Sequence, residues 1–342
     1  MSPGQEVKSL PDRFIAWVKQ AFDQTVEGAR SWLSHPELLQ LLVVLTALSI
    51  PIIWILIVDR VAMGSLLAFA TFGPEFITGS DWIVSPAIGG LPSLGALPAI
   101  YGSVVTTMIA LLIAVPVSLG VGLFQSELAP RQMRSPSVFL VEMLAAVPSV
   151  VYGLWAIVIL VPFTRTSVDP SLRSVLGFLP LFSGSASGFG ILTAGVILAI
   201  MVIPYASSIM REVFAAVPRT QREAMIALGA TEWETVRKSV IPFARVGVVA
   251  AIMLALGRAI GETMAVTMTI GNSAKIPISL FGFGSTIPSI IANEFVGAET
   301  ALHLSALFAL GLILFAITFL MNIIARLLIR QLSFKGRRGL AA

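Results

Sequence analysis

Six runs of apolar residues, each long enough to cross a bilayer as a helix, constrain this chain more than any other feature of it. They lie at Leu38–Val58, Ala99–Phe124, Val138–Val161, Ile191–Ile209, Val246–Ile270 and Leu304–Ala325. A hydrocarbon core about 30 Å thick takes about 20 helical residues. Inside it every backbone group must be paired within its own segment, and none of the runs alternates as a membrane strand does. The expectation is an all-α integral membrane protein with six transmembrane helices. Composition agrees: 56% of the 342 residues are hydrophobic and 12% charged, whereas soluble domains carry about 25% charged residues.

The basic residues orient the spans. The N-terminal segment, the second loop (Arg131, Arg134), the fourth loop and the tail hold 17 of the 22 Lys and Arg residues. The alternate loops hold only Arg60, Arg165, Arg173 and Lys275, so both termini are predicted to be cytoplasmic. The predicted organisation is an N-terminal cytoplasmic segment (1–37), a first anchor helix (38–58), an outer loop (59–98), a transmembrane domain (99–328) with a cytoplasmic loop at 211–245, and a basic tail (329–342). The anchor starts too late for a cleaved signal peptide. Before it, Phe14, Val18, Phe22, Val26 and Leu33 recur at helical spacing, which fits an interfacial amphipathic helix or an extension of the first helix. The outer loops, Ala62–Pro98 and Asn272–His303, contain short apolar pieces at Leu66–Phe72, Phe76–Ile77, Ile276–Phe283 and Ile287–Ile291. These are too short to span, and read as re-entrant or interfacial segments or as ordinary loop packing.

Several chemistries are excluded. Cys is absent and only His35 and His303 are present, so no thiolate or histidine metal centre and no cofactor is expected. No Gly-rich phosphate loop with its Lys-Ser/Thr occurs, so any ATP must be bound by another chain. Neither His lies centrally in a span, which leaves an intramembrane protease without its zinc ligands or base. An enzyme is not expected.

The fourth loop, Pro218 to Pro242, encodes a short helix, a Gly turn and a second short helix. Thr220 with Glu223 and Thr231 with Glu234 have the spacing of capping boxes. Gly229 sits where a helix C-cap turns left-handed, and Pro242 is expected to end the second helix. Ala224, Ile226, Ala227 and Leu228 are apolar for a solvated helix, and with Arg219, Arg222 and Glu223 around them they mark a docking surface.

The fifth span carries Arg258 near its middle, where an Arg raises the free energy of insertion by about 2.5–3.5 kcal/mol. Glu262, four residues on, shares its helical face, and the stripe continues through Ala265 to Thr269. Gly257 and Gly261 flank it and would admit a close neighbour; Thr263 and Thr267 point away and would bond back to their own helix. Two readings stay open. The pair is a fixed brace between helices, although buried pairs are weak evidence of stability. Alternatively it lines the path of an anionic solute, with Arg258 presenting its planar fork of donors and Glu262 holding Arg258 between turnovers. Pro116, Pro148 and Pro204 interrupt three other spans as kinks; Pro148, beside Ser149 and Tyr152, is the best cavity candidate. Glu142 reads as an N-terminal cap of the third span.

The fourth loop resembles the cytoplasmic signature of ABC importer permeases, Glu-Ala-Ala, three residues, Gly, nine residues, Ile-x-Leu-Pro. Glu223, Ala224, Gly229 and Pro242 match it, while Met225, Ser239 and Ile241 depart from it. The run Gly257-Arg-Ala-Ile-Gly-Glu-Thr-Met-Ala-Val-Thr267 resembles the PstC-type permease subunits of phosphate importers, as do Ser126–Pro130 and Glu142–Trp155. The resemblance extends from about Leu97 into the sixth span. It implies a type I ABC importer permease (MetI-like) fold in a prokaryotic cell membrane, forming half of a path for inorganic phosphate. It further implies that Glu223, Ala224 and Gly229 couple to the ATPase. Arg258 and Glu262 would be the transport-critical charges, with Thr269 further along the same path. The implied partners are a PstA-type sister permease, a PstB-type ATPase dimer and a PstS-type phosphate-binding protein, with no nucleic acid. Another oxyanion as cargo, the PstA-type sister role, and an ion-coupled carrier or channel remain alternatives.

Overall fold

The computed structural model describes residues 36–84, 92–184 and 187–338; the amphipathic segment expected over Phe14–Leu33 lies outside the described residues. The chain divides into two units, Met1–Arg60 and Val61–Ala342. The described part of the first is one apolar helical stretch, the N-terminal portion of α1 (Pro36–Phe72). Leu66–Phe72 continues this helix and is not a separate re-entrant piece. Gly64 does not break it, and a side chain there is unwelcome, since a Cβ would come within 2.7 Å of the Phe308 ring.

In the second unit a short helix α2 (Glu75–Thr78) leads to an antiparallel pair, β1 (Trp82–Ile83) and β2 (Ser93–Leu94), with Trp82 opposite Leu94. Five further long helices follow in part or whole: α3 (Leu97–Leu128), α5 (Ser149–Leu176), α6 (Ile191–Ala215), α8 (Glu232–Ile260) and α11 (Ala301–Arg338). With α1 they are, among the described residues, the six helices long and apolar enough to cross a membrane. Shorter helices lie between them: α4 (Arg131–Ala145), α7 (Arg219–Ala227), α9 (Met264–Thr267) and α10 (Ile287–Glu294).

The third span departs from the expectation. The apolar run at Val138–Val161 is split at Ala146–Pro148, and the spanning helix is shifted onward to Ser149–Leu176. Pro148 has no N–H to continue the ladder and forces the residue before it out of the helical region. It is a stop, not a kink. The first part of the run becomes α4, which buries none of its side chains. Glu142 lies near the C-terminal end of α4 and pairs with Arg211 at 3.1 Å, so it caps no helix N-terminus. Beyond the break, wider π turns at Ala156–Leu160 and Thr164–Val168 carry α5 forward.

The core is centred on α6. Ile191, Ala194, Leu198, Ala199, Val202 and Ala206 are buried against Ala110 and Ala114 of α3, Ala255 and Ala259 of α8, and Val266. Small side chains let the helices approach closely, as lipid supplies no hydrophobic drive between spans. A Cβ added at Gly195 would lie 2.6 Å from Ile109 and 3.3 Å from the Thr106 carbonyl. A second cluster, with Phe76, Trp82, Ile287, Leu307 and Leu310, closes one end. A third, with Leu123, Phe214, Val217, Val236 and Val240, closes the end that carries α7.

Candidate functional site

The fifth span does not run to Ile270. Helix α8 stops at Ile260, the chain leaves the helical path at Gly261–Thr263, and a single turn, α9, follows. The four-residue facing geometry expected of Arg258 and Glu262 is therefore not in place. Among the described residues no carboxylate lies within ion-pair distance of Arg258. Its guanidinium sits instead 5.0 Å from the centre of the Tyr205 ring, a cation–π distance, and is close enough to Tyr152 for the two to interact electrostatically. Glu262 is half-buried, and among the described residues its carboxylate accepts from the Ala265 N–H, at 3.5 Å.

Arg258 is exposed, as are Leu254, Gly257 and Gly261 on the same stretch. A Cβ at Gly257 would meet nothing within 4 Å. Gly257 and Ile260 line a small crevice with Thr318 and Asn322, which lie near the middle of α11, and Tyr205 is midway along α6. The exposed arginine, in the last turn of α8, is thus level with the middles of α6 and α11, a depth at which lipid would not tolerate it. Such a side chain must meet a second protein or water.

Beyond α9 the backbone is irregular up to Thr286, yet it is anchored at several points. The Thr269 carbonyl accepts from Gly190 N–H at 3.1 Å, Ile270 from Gly284 at 3.1 Å, and Gly282 and Leu280 from Ile191 and Leu192 at the start of α6. Ser103 of α3 accepts from Ile287 N–H at 2.9 Å. Irregular backbone at membrane depth is admissible only where protein or a wet cavity satisfies it, and here protein does. The short apolar pieces Ile276–Phe283 and Ile287–Ile291 fold back against α3 and α6 in this way. Thr269, expected on the Arg258 stripe, is fully buried, and its hydroxyl donates to the Ala265 carbonyl at 2.8 Å. That bond stays within its own turn; the Thr269 carbonyl, bonded to Gly190 N–H, ties the turn to the start of α6, and the buried side chain is placed apart from the open face. Thr267 bonds back to Thr263 at 2.7 Å, as expected. Gly153 lets α5 approach α9, for a Cβ there would lie 2.5 Å from the Met268 sulfur and 3.2 Å from the Ala265 Cα.

The fourth loop has the expected helix–turn–helix with two corrections. Gly229 has φ +84°; its N–H bonds Ile226 and the next N–H bonds Met225, which closes the helix as a Schellman motif. Thr231 and Glu234 form a reciprocal capping box. Thr220 caps nothing, because Pro218 already opens α7 at Arg219 with no side-chain cap. Pro242 does not end the second helix either. A π turn at Val236–Val240, inside α8, carries the helix past it; the wider turn directly before Pro242 accommodates its missing N–H. Glu223, Ala224 and Gly229 are all exposed, with Ile226 and Leu228 beside them, the latter 84% exposed.

Comparison with known proteins decides what carries this pair of features. Residues 114–334 match the family model of the binding-protein-dependent transport system inner membrane component. The phosphate transport system permease protein PstC of Mesorhizobium japonicum is 46% identical over 273 residues, covering 79% of this chain and 82% of its own. PstC of Pasteurella multocida is 46% identical over 286 residues, covering 82% and 88%. The chain belongs to the PstC family of binding-protein-dependent inner-membrane permeases. Its fold is also that of the inward-facing MetNI methionine ABC transporter, with a TM-score of 0.51 at 16% identity over 68% of this chain and 94% of the other. PstC-family chains are multi-pass inner-membrane permease subunits of ABC importers. ATP hydrolysis and solute capture belong to separate subunits.

Two residues of this PstC-family chain escaped sequence reasoning. Tyr205 carries no polar pattern of its own, and only its place beside Arg258 marks it. Glu127 sits in the Ser126–Pro130 motif, at the end of α3. It receives Arg222 Nε at 2.9 Å and Nη2 at 2.6 Å, and its side chain is 10% exposed. The Glu127 hydrogen bond holds the Arg222 guanidinium above its ordinary pKa, against burial, so Arg222 stays charged.

Proposed function

We propose that this chain forms one half of the membrane path of an ATP-driven importer of inorganic phosphate. Its sister half would be a PstA-type permease, its motor a PstB-type ATPase dimer and its supplier a PstS-type phosphate-binding protein outside the membrane. Both termini would be cytoplasmic, which puts α7 on the ATPase side. The observation that carries the reading is Arg258: an exposed guanidinium level with the middles of α6 and α11, over the Tyr205 ring and, among the described residues, without a carboxylate partner. Its fork of donors matches a tetrahedral oxyanion in two-point contact. The open face around it would be covered by the sister permease, with the path between the two. Glu262, on the unwound segment beside it, would receive Arg258 when no anion is bound. The apolar tip of α7, with Ile226 and Leu228 beside Glu223 and Ala224, would seat in the ATPase. That the PstC relatives are phosphate transport system permeases by name supports the choice of cargo.

The test is reconstitution of the chain with its three partners in liposomes. Labelled phosphate should enter only with ATP and the binding protein, and excess sulfate should not compete. Uptake that persists without ATP and without the ATPase would instead establish a channel or an ion-coupled carrier.

A further inference from the structure

We propose that Glu127 and Arg222 form the linkage that fastens the coupling helix to the spans, so that a displacement of α7 moves the ends of α3 and α6 together. The proposal rests on reading α7 as the helix that docks on the ATPase. The starting observation is that α7 buries none of its side chains. A helix without an apolar footing would swing on its flanking turns when pushed, and the push would be lost.

Arg222 supplies the footing. It projects from α7 and places a fork on both oxygens of Glu127, which ends α3. The same guanidinium donates to the Phe214 carbonyl at 2.8 Å and to the Val217 carbonyl. Phe214 ends α6, its carbonyl also accepting from Val217 N–H at 3.1 Å, and Val217 follows two residues beyond the helix. One side chain therefore ties three elements together with four hydrogen bonds. Beneath it, Leu123, Phe214 and Val217 are buried against Val236 and Val240 of α8, so the tied ends rest on a packed base. The other ion pairs at this end are built differently. Lys238–Glu234 is a single contact between side chains 62% and 44% exposed, and pairs of that kind contribute little. Lys could not replace Arg222, since a point charge cannot hold a carboxylate and two carbonyls in fixed directions.

The test uses the complete importer in liposomes and three readouts: ATPase co-purified, ATP hydrolysed, and phosphate moved per ATP. Glu127→Gln and Arg222→Lys should retain the ATPase and its hydrolysis while phosphate per ATP falls at least five-fold. Glu127→Met combined with Arg222→Met strands no charge, should accumulate normally, and should show the same fall. Wild-type phosphate per ATP in that double variant would overturn the proposal. So would variants in which abundance and uptake drop together at an unchanged ratio, which would make the pair a folding brace. Leu228→Asp, run in parallel, should release the ATPase. If it does not, the docking reading fails, and the linkage with it, whatever the clamp variants show.

Discussion

Arg222 and Arg258 are the same side chain in opposite circumstances. Arg222 is half-buried and its donors are shared among a carboxylate and two carbonyls. Arg258 is exposed on the flank of a broken span and has an aromatic face beneath it. Charge alone therefore does not mark a transport residue; satisfaction does. A guanidinium whose hydrogen-bonding capacity is filled by its own chain is part of the frame. One presented with donors to spare, as Arg258 is among the described residues, is the one proposed above to receive the anion. Their immediate backbones differ in the same sense, a regular exposed helix for Arg222 and an unwound turn just beyond Arg258.

The contrast can be broken most severely at Arg258. Arg258→Gln should lower phosphate uptake by roughly 100-fold, as expected when one member of a desolvated charge pair is truncated at about 2–5 kcal/mol, while the subunit accumulates normally. Loss of the subunit from the membrane would put Arg258 in the frame beside Arg222. Next in size is Gly229→Val. A Cβ at Gly229 meets nothing within 4 Å, so only the left-handed φ of +84° is at stake, and a β-branched residue resists it. Transport per ATP should fall about ten-fold with insertion unchanged, and unaltered coupling would remove the turn from the docking surface.

Tyr205→Leu sharpens the comparison from beneath. A cation–π contact contributes about 0.5–2 kcal/mol, so the concentration for half-maximal phosphate-driven uptake should rise about five-fold, whereas Tyr205→Phe should match the parent. An equal loss in both variants would assign the effect to the hydroxyl. Thr231→Ala should have the smallest effect. Loss of an N-cap weakens a helix start by about 1 kcal/mol, here on an exposed turn. Hydrogen exchange at Glu232–Thr235 should quicken while uptake stays within two-fold. A large uptake defect would mean that this turn is itself a contact of the ATPase.

What was legible in the sequence divides along the same line. The six spans follow from hydropathy and length, and the Gly229 turn and the Thr231–Glu234 box from local chemistry that needs no distant partner. Pro148 was visible, but whether a proline kinks or stops a helix depends on what receives the freed carbonyls. The break after Ile260 was harder to see, since the charged pair at Arg258 and Glu262 keeps helical spacing and the residues around it are compatible with a helix. Beyond α9, Gly190 and Gly284 draw the Thr269 and Ile270 carbonyls into bonds with other parts of the chain, so the span does not resume there. Gly257, Gly261, and the positive-φ pair Gly271 and Asn272 were the local hints. Arg222 and Glu127 are 95 residues apart, and each looks like an ordinary surface charge until the fold joins them.

The central claim is that Arg258 serves the anion and does not brace Glu262. It is tested most directly by comparing Arg258→Gln with the double variant Arg258→Met/Glu262→Met, measuring subunit abundance and labelled phosphate uptake on the same membranes. Both proteins should accumulate as the parent does, and neither should take up phosphate. If instead the single variant fails to accumulate and the double variant recovers uptake, the two charges are a scaffold and the claim is wrong.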